Sequence, residues 1–232
     1  MNANVVVLFC LICYYCAMKI TKQKKAEIVK AYLDTLYPDP KCELNFNSNF
    51  QLLVAVVLSA QCTDKRVNEV TPVLFEKYPN PRALANAKQE DVEKIIYSCG
   101  FYTQKAKSII EASKDITTKF NGQVPDNLQD LTSLRGVGRK TANVVLSVAF
   151  KKPAIAVDTH VFRMAKRFGL SNGKTVWEVE KDLMKLFKQE DWAKLHYQLV
   201  LYGRYKSKAR GKSDWEEEFL SFQKKYLETQ EN

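Results

Sequence analysis

The residues with the clearest chemical meaning lie between 128 and 150, where two helical patterns flank a short glycine-containing turn. Gly136 and Gly138 are one residue apart, so the turn can adopt positive φ and approach another backbone closely. Their amides would lie at the start of the second helix, where free N–H groups and the helix dipole favour an anion. With Val137 and Arg139, the glycines predict a hairpin that binds phosphate. A turn whose glycines serve packing alone is the alternative.

Lys140 follows this turn and lies in the first turn of the second helical pattern. The helix dipole disfavours a cation at that position, and a lysine acts as a nucleophile only in its neutral form. Lys140 is therefore a candidate nucleophile. A simple contact from Lys140 to phosphate is the other interpretation.

Asp158 stands just before a basic helical pattern that begins at Thr159. An aspartate at this position caps the helix and stays ionised and fixed in orientation. Its carboxylate could also face Lys140 if the two helices pack as neighbours. A role as a cap alone remains open.

Helices must position these residues, because no run of useful length alternates apolar and polar residues as a strand does. An apolar segment at 50–60, predicted to be capped by Asn49, indicates a buried helix. Pro and Gly residues separate the other helical patterns, which cover residues 21–37, 64–77, 89–98, 103–120 and 127–133. The sequence therefore predicts an all-α fold.

The formal net charge of the 232 residues is +10, and it is unevenly distributed. Residues 131–212 contain 18 basic and 6 acidic side chains, whereas residues 213–232 contain 2 basic and 6 acidic ones. A concentrated positive region favours a nucleic-acid backbone as the partner, although an anionic membrane would also attract it. The low Gly and Pro content excludes collagen-like and linker-rich chains.

The N-terminal residues 1–17 form an uncharged, apolar leader. The leader is shorter than the roughly 20 residues that a membrane span needs, and its basic residues follow the apolar run, unlike those of a signal peptide. We expect translation to begin at Met18, the leader to be non-native or disordered, and no membrane association. Cys10, Cys13 and Cys16 lie in this run without a fourth ligand nearby, so no metal site is predicted. The isolated thiols elsewhere indicate a reducing, cytoplasmic location, associated with the nucleoid if the source is bacterial.

The run Leu134-Arg-Gly-Val-Gly-Arg-Lys-Thr-Ala-Asn-Val-Val, taken with Ala156-Val-Asp-Thr-His, resembles the endonuclease III family of helix-hairpin-helix DNA glycosylases. The similarity extends from about residue 44, through Gly100-Phe-Tyr-Thr-Gln-Lys, to Gly203-Arg-Tyr. It implies a two-lobed fold with a central DNA-binding cleft. One lobe would be a six-helix barrel at 42–152 that contains the hairpin at about 127–150. The other would comprise residues 18–41 and 153–232.

The resemblance also implies an activity, that of a bifunctional glycosylase and abasic-site lyase that removes oxidised pyrimidines in base excision repair. Lys140 would form a Schiff base with the sugar, Asp158 would assist, and β-elimination would cleave 3′ to the abasic site. Gln61 and Phe101 match positions that enter the duplex in this family. The partner would be double-stranded DNA with damaged bases or abasic sites, bound by a monomer without an obligate protein partner. Alternatives are a related glycosylase for oxidised guanine or mismatched bases, and a non-catalytic module that binds damaged DNA.

The C-terminal region departs from the family pattern. Most relatives carry four cysteines there that bind a [4Fe–4S] cluster, but this chain has no cysteine after Cys99, and Ser207 stands where the first is expected. No cofactor is predicted, because serine does not replace a thiolate in such a site. An amphipathic helix is expected in place of the cluster, with its apolar stripe formed by Trp215, Phe219, Phe222 and Tyr226.

A basic segment precedes that helix and is expected to take over contacts to the DNA backbone; a solvated basic face is the alternative. The segment consists of Arg204, Lys206, Lys208, Arg210 and Lys212.

Purified protein is predicted to contain no iron-sulfur cluster, because the thiolates that would hold one are missing. Metal analysis and visible absorption spectroscopy of anaerobically purified protein test this. Stoichiometric iron together with the visible absorption band of a cluster would contradict the prediction.

Overall fold

The computed structural model describes residues 20–210 and 214–230, and within these ranges the chain is helical without strands. The predicted all-α fold class is thus confirmed. The leader at 1–17, with its three cysteines, and Lys212 lie outside the described residues. None of the helices in the described ranges is both long and apolar enough to cross a membrane.

The described residues form twelve α-helices, which we number in chain order. They are α1 Lys22–Leu36, α2 Asn49–Leu58, α3 Asp64–Lys77, α4 Pro81–Ala85, α5 Gln89–Ile96, α6 Tyr102–Lys119, α7 Leu128–Ser133, α8 Arg139–Ala149, α9 Thr159–Arg167, α10 Val176–Leu186, α11 Trp192–Leu201 and α12 Trp215–Glu228. A 3₁₀ turn at Gln189–Asp191 precedes α11, and a π-helical turn at Tyr202–Lys206 follows it.

The chain divides into two compact units. The first, called the hairpin unit, contains Lys41–Ala156 and Gln189–Ala193. The second, called the terminal unit, contains the remaining described residues, at 20–40, 157–188, 194–210 and 214–230. The boundary between α8 and α9 falls after Ala156 rather than after residue 152, because the extended stretch Ala154 to Ala156 is buried in the hairpin unit.

The core of the hairpin unit is built around α2, whose residues from Leu52 to Leu58 are all buried. The helix is apolar on every face, which is the pattern of a helix enclosed by others, and it packs against α6 and α8. The N-cap is Ser48 and not the predicted Asn49. The Ser48 hydroxyl accepts a hydrogen bond from the Gln51 amide at 3.2 Å, while the Gln51 side chain accepts the Asn47 amide at 2.8 Å.

A short helix, α4, lies where Pro79 and Pro81 predict a break in the chain. Pro81 occupies its first position, where the missing N–H has no helical partner to lose and the fixed φ suits a helix. Asn80 caps it by accepting a hydrogen bond from the Ala83 amide at 2.9 Å. The helix therefore depends on the same residues that mark a break in the sequence.

Aromatic side chains from distant parts of the chain form the core of the terminal unit. The Phe219 ring of α12 lies 4.8 Å from that of Phe168 and 5.4 Å from that of Tyr32, measured between centroids. Tyr202 is fully buried beside them, and burial raises the pKa of its hydroxyl. The predicted apolar stripe of α12 is confirmed, since Trp215 and Phe222 also contact this cluster.

Replacing Phe219 with Ala is predicted to lower the free energy of unfolding by about 3–5 kcal/mol, because it leaves a cavity among packed rings. The neighbouring Leu220 is 51% exposed, so Leu220→Ala should change the same quantity by less than about 0.5 kcal/mol. Urea denaturation of both variants measures this. Similar losses in the two variants would show that the aromatic cluster does not anchor α12.

Candidate functional site

The hairpin turn between α7 and α8 requires glycine at one of its two positions. Gly136 has φ +77°, and a Cβ at this position would lie 2.6 Å from the Cβ of Ser108 on α6. No side chain fits there without moving α6. Val137 is buried, and its amide donates to the Leu134 carbonyl at 3.1 Å, which closes the turn.

Gly138 is different, because its backbone is extended at φ −84°, which any residue can adopt. An added Cβ would have no protein atom within 4 Å, so the space beside Gly138 is open. Gly138 is also the N-cap of α8, and no side chain caps this helix. The need for a positive φ and a close approach therefore explains glycine only at position 136. At position 138, glycine leaves the N-terminus of α8 exposed and without a side-chain cap.

Arg139 and Lys140 are exposed in the first turn of α8. The following turns are held firmly, since Ala142, Val145 and the side chains around them are buried in the core. Asn143 is also buried, and its side-chain amide donates to the Ile155 carbonyl at 2.9 Å. Lys140 thus projects to solvent from a helix whose opposite face is fixed.

Asp158, in the terminal unit, is the N-cap of α9, as predicted. Its carboxylate accepts a hydrogen bond from the Val161 amide at 2.8 Å, which fixes its orientation. The side chain is half-buried. Asp158 and Lys140 belong to different units.

The basic segment begins in the π-helical turn that packs on α9. Gly203 permits this packing, since a Cβ there would lie 3.0 Å from the Cβ of His160. Arg163 of α9 donates to the carbonyls of Gly203 at 2.6 Å and Ser207 at 3.2 Å. Burial lowers the pKa of Arg163. The described part of the segment is thus held on the helix that Asp158 caps.

Individual side chains of the basic segment differ in their surroundings. Lys206 lies 3.3 Å from the carboxylate of Glu218 on α12, and both side chains are about half exposed. Lys208 is exposed, and its carbonyl accepts a hydrogen bond from Arg167 at 3.0 Å. Arg204 is half-buried. Lys206 can exchange the Glu218 carboxylate for a bound anion, because a surface ion pair is weak.

Ser207 is fully buried, and its surroundings are those of a hydroxyl. The Arg167 guanidinium donates to its Oγ at 2.5 Å and to its carbonyl at 3.1 Å. The same guanidinium lies over the Trp215 ring of α12, 5.5 Å from its centroid. With a bonded hydroxyl here and no cysteine after Cys99, the residues present do not fit a four-thiolate cluster.

Arg163 and Arg167 position the basic segment, and they are not predicted from the sequence. Their only signal there is a spacing of one helical turn on α9. The carbonyls that they bind lie about 40 residues further along the chain.

Gln61 and Phe101 lie in two loops of the hairpin unit that contact each other. Both have left-handed backbones, with φ +51° and +59°, which side-chain-bearing residues rarely adopt. A Cβ on Gly100 would lie 3.5 Å from the Gln61 carbonyl. Gln61 is exposed, and the Phe101 ring is 67% exposed. A strained backbone that holds an aromatic ring in solvent is characteristic of functional sites.

Comparison with known proteins identifies the family. The family model for the HhH-GPD superfamily base excision DNA repair protein matches residues 54–189. Endonuclease III of Bacillus subtilis is 47% identical over 188 residues, which cover 81% of this chain and 86% of the relative. Endonuclease III of Escherichia coli is 43% identical over 191 residues, covering 82% and 90%.

A solved structure of an endonuclease III is also similar to this chain. A trapped covalent intermediate of endonuclease III with DNA, in an estranged-adenine complex, superimposes with a TM-score of 0.79 and 47% identity, covering 82% of this chain and 90% of that one. The fold and the motifs around the hairpin thus lead to the same assignment. The chain belongs to the HhH-GPD superfamily of base excision DNA repair proteins and is a DNA glycosylase and AP lyase of the endonuclease III family, as its sequence motifs predict.

Proposed function

We propose that this enzyme removes oxidised pyrimidines from double-stranded DNA and cleaves the strand at the resulting abasic site, with Lys140 as the nucleophile. One observation carries the proposal. An exposed lysine stands in the first turn of a rigid helix, directly after an exposed, uncapped N-terminus that can hold a DNA phosphate. The clamp and the nucleophile therefore meet the same stretch of DNA backbone.

The hairpin holds the DNA strand without reading its sequence. Backbone amides around Gly136 and Gly138 donate to a phosphate, and the open space beside Gly138 lets the DNA backbone approach. Val137 anchors the turn in the core. Arg139 adds a positive charge at the same end of the helix.

The chemistry needs a neutral amine at Lys140. The amine attacks C1′ of a nucleotide that has been flipped out of the duplex, and the C1′–N bond breaks as the damaged base leaves with the bonding electrons. The attached nitrogen then loses a proton, its lone pair forms a double bond to C1′, and the C1′–O4′ bond breaks. O4′ takes up a proton to become a hydroxyl, which leaves a protonated Schiff base at C1′. Removal of a C2′ proton then drives cleavage of the C3′–O bond, and the 3′ phosphate leaves.

Asp158 supplies negative charge for these reaction steps. An ionised carboxylate stabilises the positive charge that develops on the sugar and assists proton transfer at the amine. Its hydrogen bond to the Val161 amide keeps it in one orientation before substrate binds. The capping role and the catalytic role are thus compatible in one side chain.

Gln61 and Phe101 enter the duplex and fill the space that the flipped nucleotide leaves. A polar and an aromatic side chain in contact with neighbouring bases offset part of the unstacking cost. The basic segment contributes through Arg204, Lys206 and Lys208, which attract the phosphate backbone.

The protein performs this reaction without an iron-sulfur cluster and as a monomer. The Ser207 hydroxyl, buried and bonded to Arg167, supports the first point, because the family resemblance implies a cluster thiolate at this position. Both Lys140 and Asp158 come from one chain, which supports the second.

Replacing Lys140 with Ala is predicted to abolish the covalent adduct that borohydride traps between protein and abasic-site DNA, because the Schiff base needs its amine. Gel electrophoresis of the trapped complex measures this. Lys114→Ala, at an exposed lysine of α6, is the matched control and should retain the adduct. Absence of an adduct with the unmodified protein, or its persistence in K140A, would refute the lyase proposal.

Replacing Asp158 with Asn is predicted to lower the excision rate by about 100-fold or more, because the carboxylate charge is lost. Asparagine caps a helix as well as aspartate, so D158N should keep the stability of the parent, whereas D158A should lose about 1 kcal/mol as well as activity. Single-turnover excision and urea denaturation separate the two effects. An active D158N would show that Asp158 is a cap alone.

A further inference from the structure

We propose that Lys105 is a positioning residue for base extrusion, because its buried ammonium ties together the two loops that carry Gln61 and Phe101. The proposal rests on the insertion role given to those residues above. Lys105 lies in the first turn of α6 within the hairpin unit, and its side chain does not project toward solvent.

The Lys105 ammonium holds the C-terminal end of α2. Its Nζ donates to the Leu58 carbonyl at 2.8 Å, and Leu58 is the last residue of that helix. Carbonyls in the last turn of a helix lack an intrahelical donor and carry the negative end of the helix dipole. The Lys105 ammonium is therefore favoured by the dipole of α2, at whose C-terminal end it lies. The dipole of α6 disfavours it, because Lys105 belongs to the first turn of that helix.

Burying the Lys105 ammonium costs free energy, which indicates that its contact with α2 has a role beyond packing. Lys105 is only 6% exposed. No carboxylate of the described residues lies within ion-pair distance of its Nζ, and burial lowers its pKa. Its electrostatic neighbours are the thiols of Cys62 and Cys99. A lysine that serves packing alone would keep its charged end in water.

Lys105 is connected to both inserting residues. Leu58 precedes Gln61 by three positions, and the Lys105 amide donates to the Phe101 carbonyl at 3.0 Å. The two thiols flank the same loops, because Cys62 follows Gln61 and Cys99 precedes Gly100. One side chain thus joins the root of the Gln61 loop to the helix that begins after Phe101.

This connection matters because both inserting residues have left-handed backbones, which cost free energy unless the surroundings enforce them. Loss of the Lys105 hydrogen bond lets the loops separate and relax. Extruding a base that is still paired then becomes harder. An abasic nucleotide has no base pair to open, so it depends less on the inserting residues.

The test uses Lys105→Met, which keeps an unbranched chain but removes the donor and the charge. Excision of a paired oxidised pyrimidine should slow by about tenfold. The rate of borohydride trapping on an abasic duplex should fall by less than about threefold, since the chemistry at Lys140 is intact. Lys114→Met on the same helix is the control and should leave both rates unchanged.

A double-mutant cycle distinguishes positioning from general destabilisation. In a Gln61→Ala/Phe101→Ala background, Lys105→Met should cause no further loss of excision, because the residues through which it acts are gone. All rates are measured below the unfolding temperature of each variant. If K105M does not fold, Lys105→Gln replaces it in the same cycle. Its side chain is one bond shorter and uncharged, so it should lose the hydrogen bond to the Leu58 carbonyl and depend on the background in the same way.

Two outcomes would overturn the proposal: an equal loss of excision in both backgrounds, or an equal loss on the paired lesion and the abasic duplex. Failure of the proposed function looks different, since the unmodified protein would then give no borohydride adduct.

Discussion

The turn at Gly136 can be made only by a residue without a side chain, and the arrangement of the hairpin depends on it. A Cβ would lie 2.6 Å from Ser108, so any other residue would push α7 and α8 away from α6. The close approach directs the N-terminus of α8 to solvent while the rest of that helix is buried. The exposed Gly138 and Lys140 at this helix end depend on that contact. The proposed phosphate clamp and the proposed nucleophile are therefore parts of one structural feature.

The terminal unit is held together by charge-assisted hydrogen bonds and by packed aromatic rings. Arg163 and Arg167 bind backbone carbonyls of the π-helical turn and of Ser207, while the rings of Tyr32, Phe168 and Phe219 pack together. Charge-assisted hydrogen bonds fix the turn, and apolar burial fixes α12. Asp158 caps α9, and the π-helical turn in which the basic segment begins packs on the same helix.

In the hairpin unit, strained backbones lie at the two residues that we propose enter the duplex. Gln61 and Phe101 have positive φ, and their loops touch through Gly100. Such backbones persist only when the surrounding structure enforces them. The buried contact from Lys105 to the end of α2 supplies that constraint. Rigid loops reduce the entropy lost on inserting side chains into a duplex.

Local patterns in the sequence were sufficient for the all-α fold, the buried α2, the hairpin and the Asp158 cap, because periodicity and capping act over a few residues. Tertiary structure decided which residue caps a helix and which glycine the hairpin turn requires. Ser48 rather than Asn49 caps α2, and only one of the two hairpin glycines needs its conformational freedom.

The partners in the contacts that hold the site in place could not be predicted from the sequence. Lys105 binds a carbonyl 47 residues away, and Arg167 binds the Ser207 carbonyl 40 residues away. A hydrogen bond to a backbone carbonyl does not depend on the type of residue that carries the carbonyl. The sequence by itself therefore determined the reactive groups and the helices that carry them. Only the folded chain decided which cations hold those helices and loops in position.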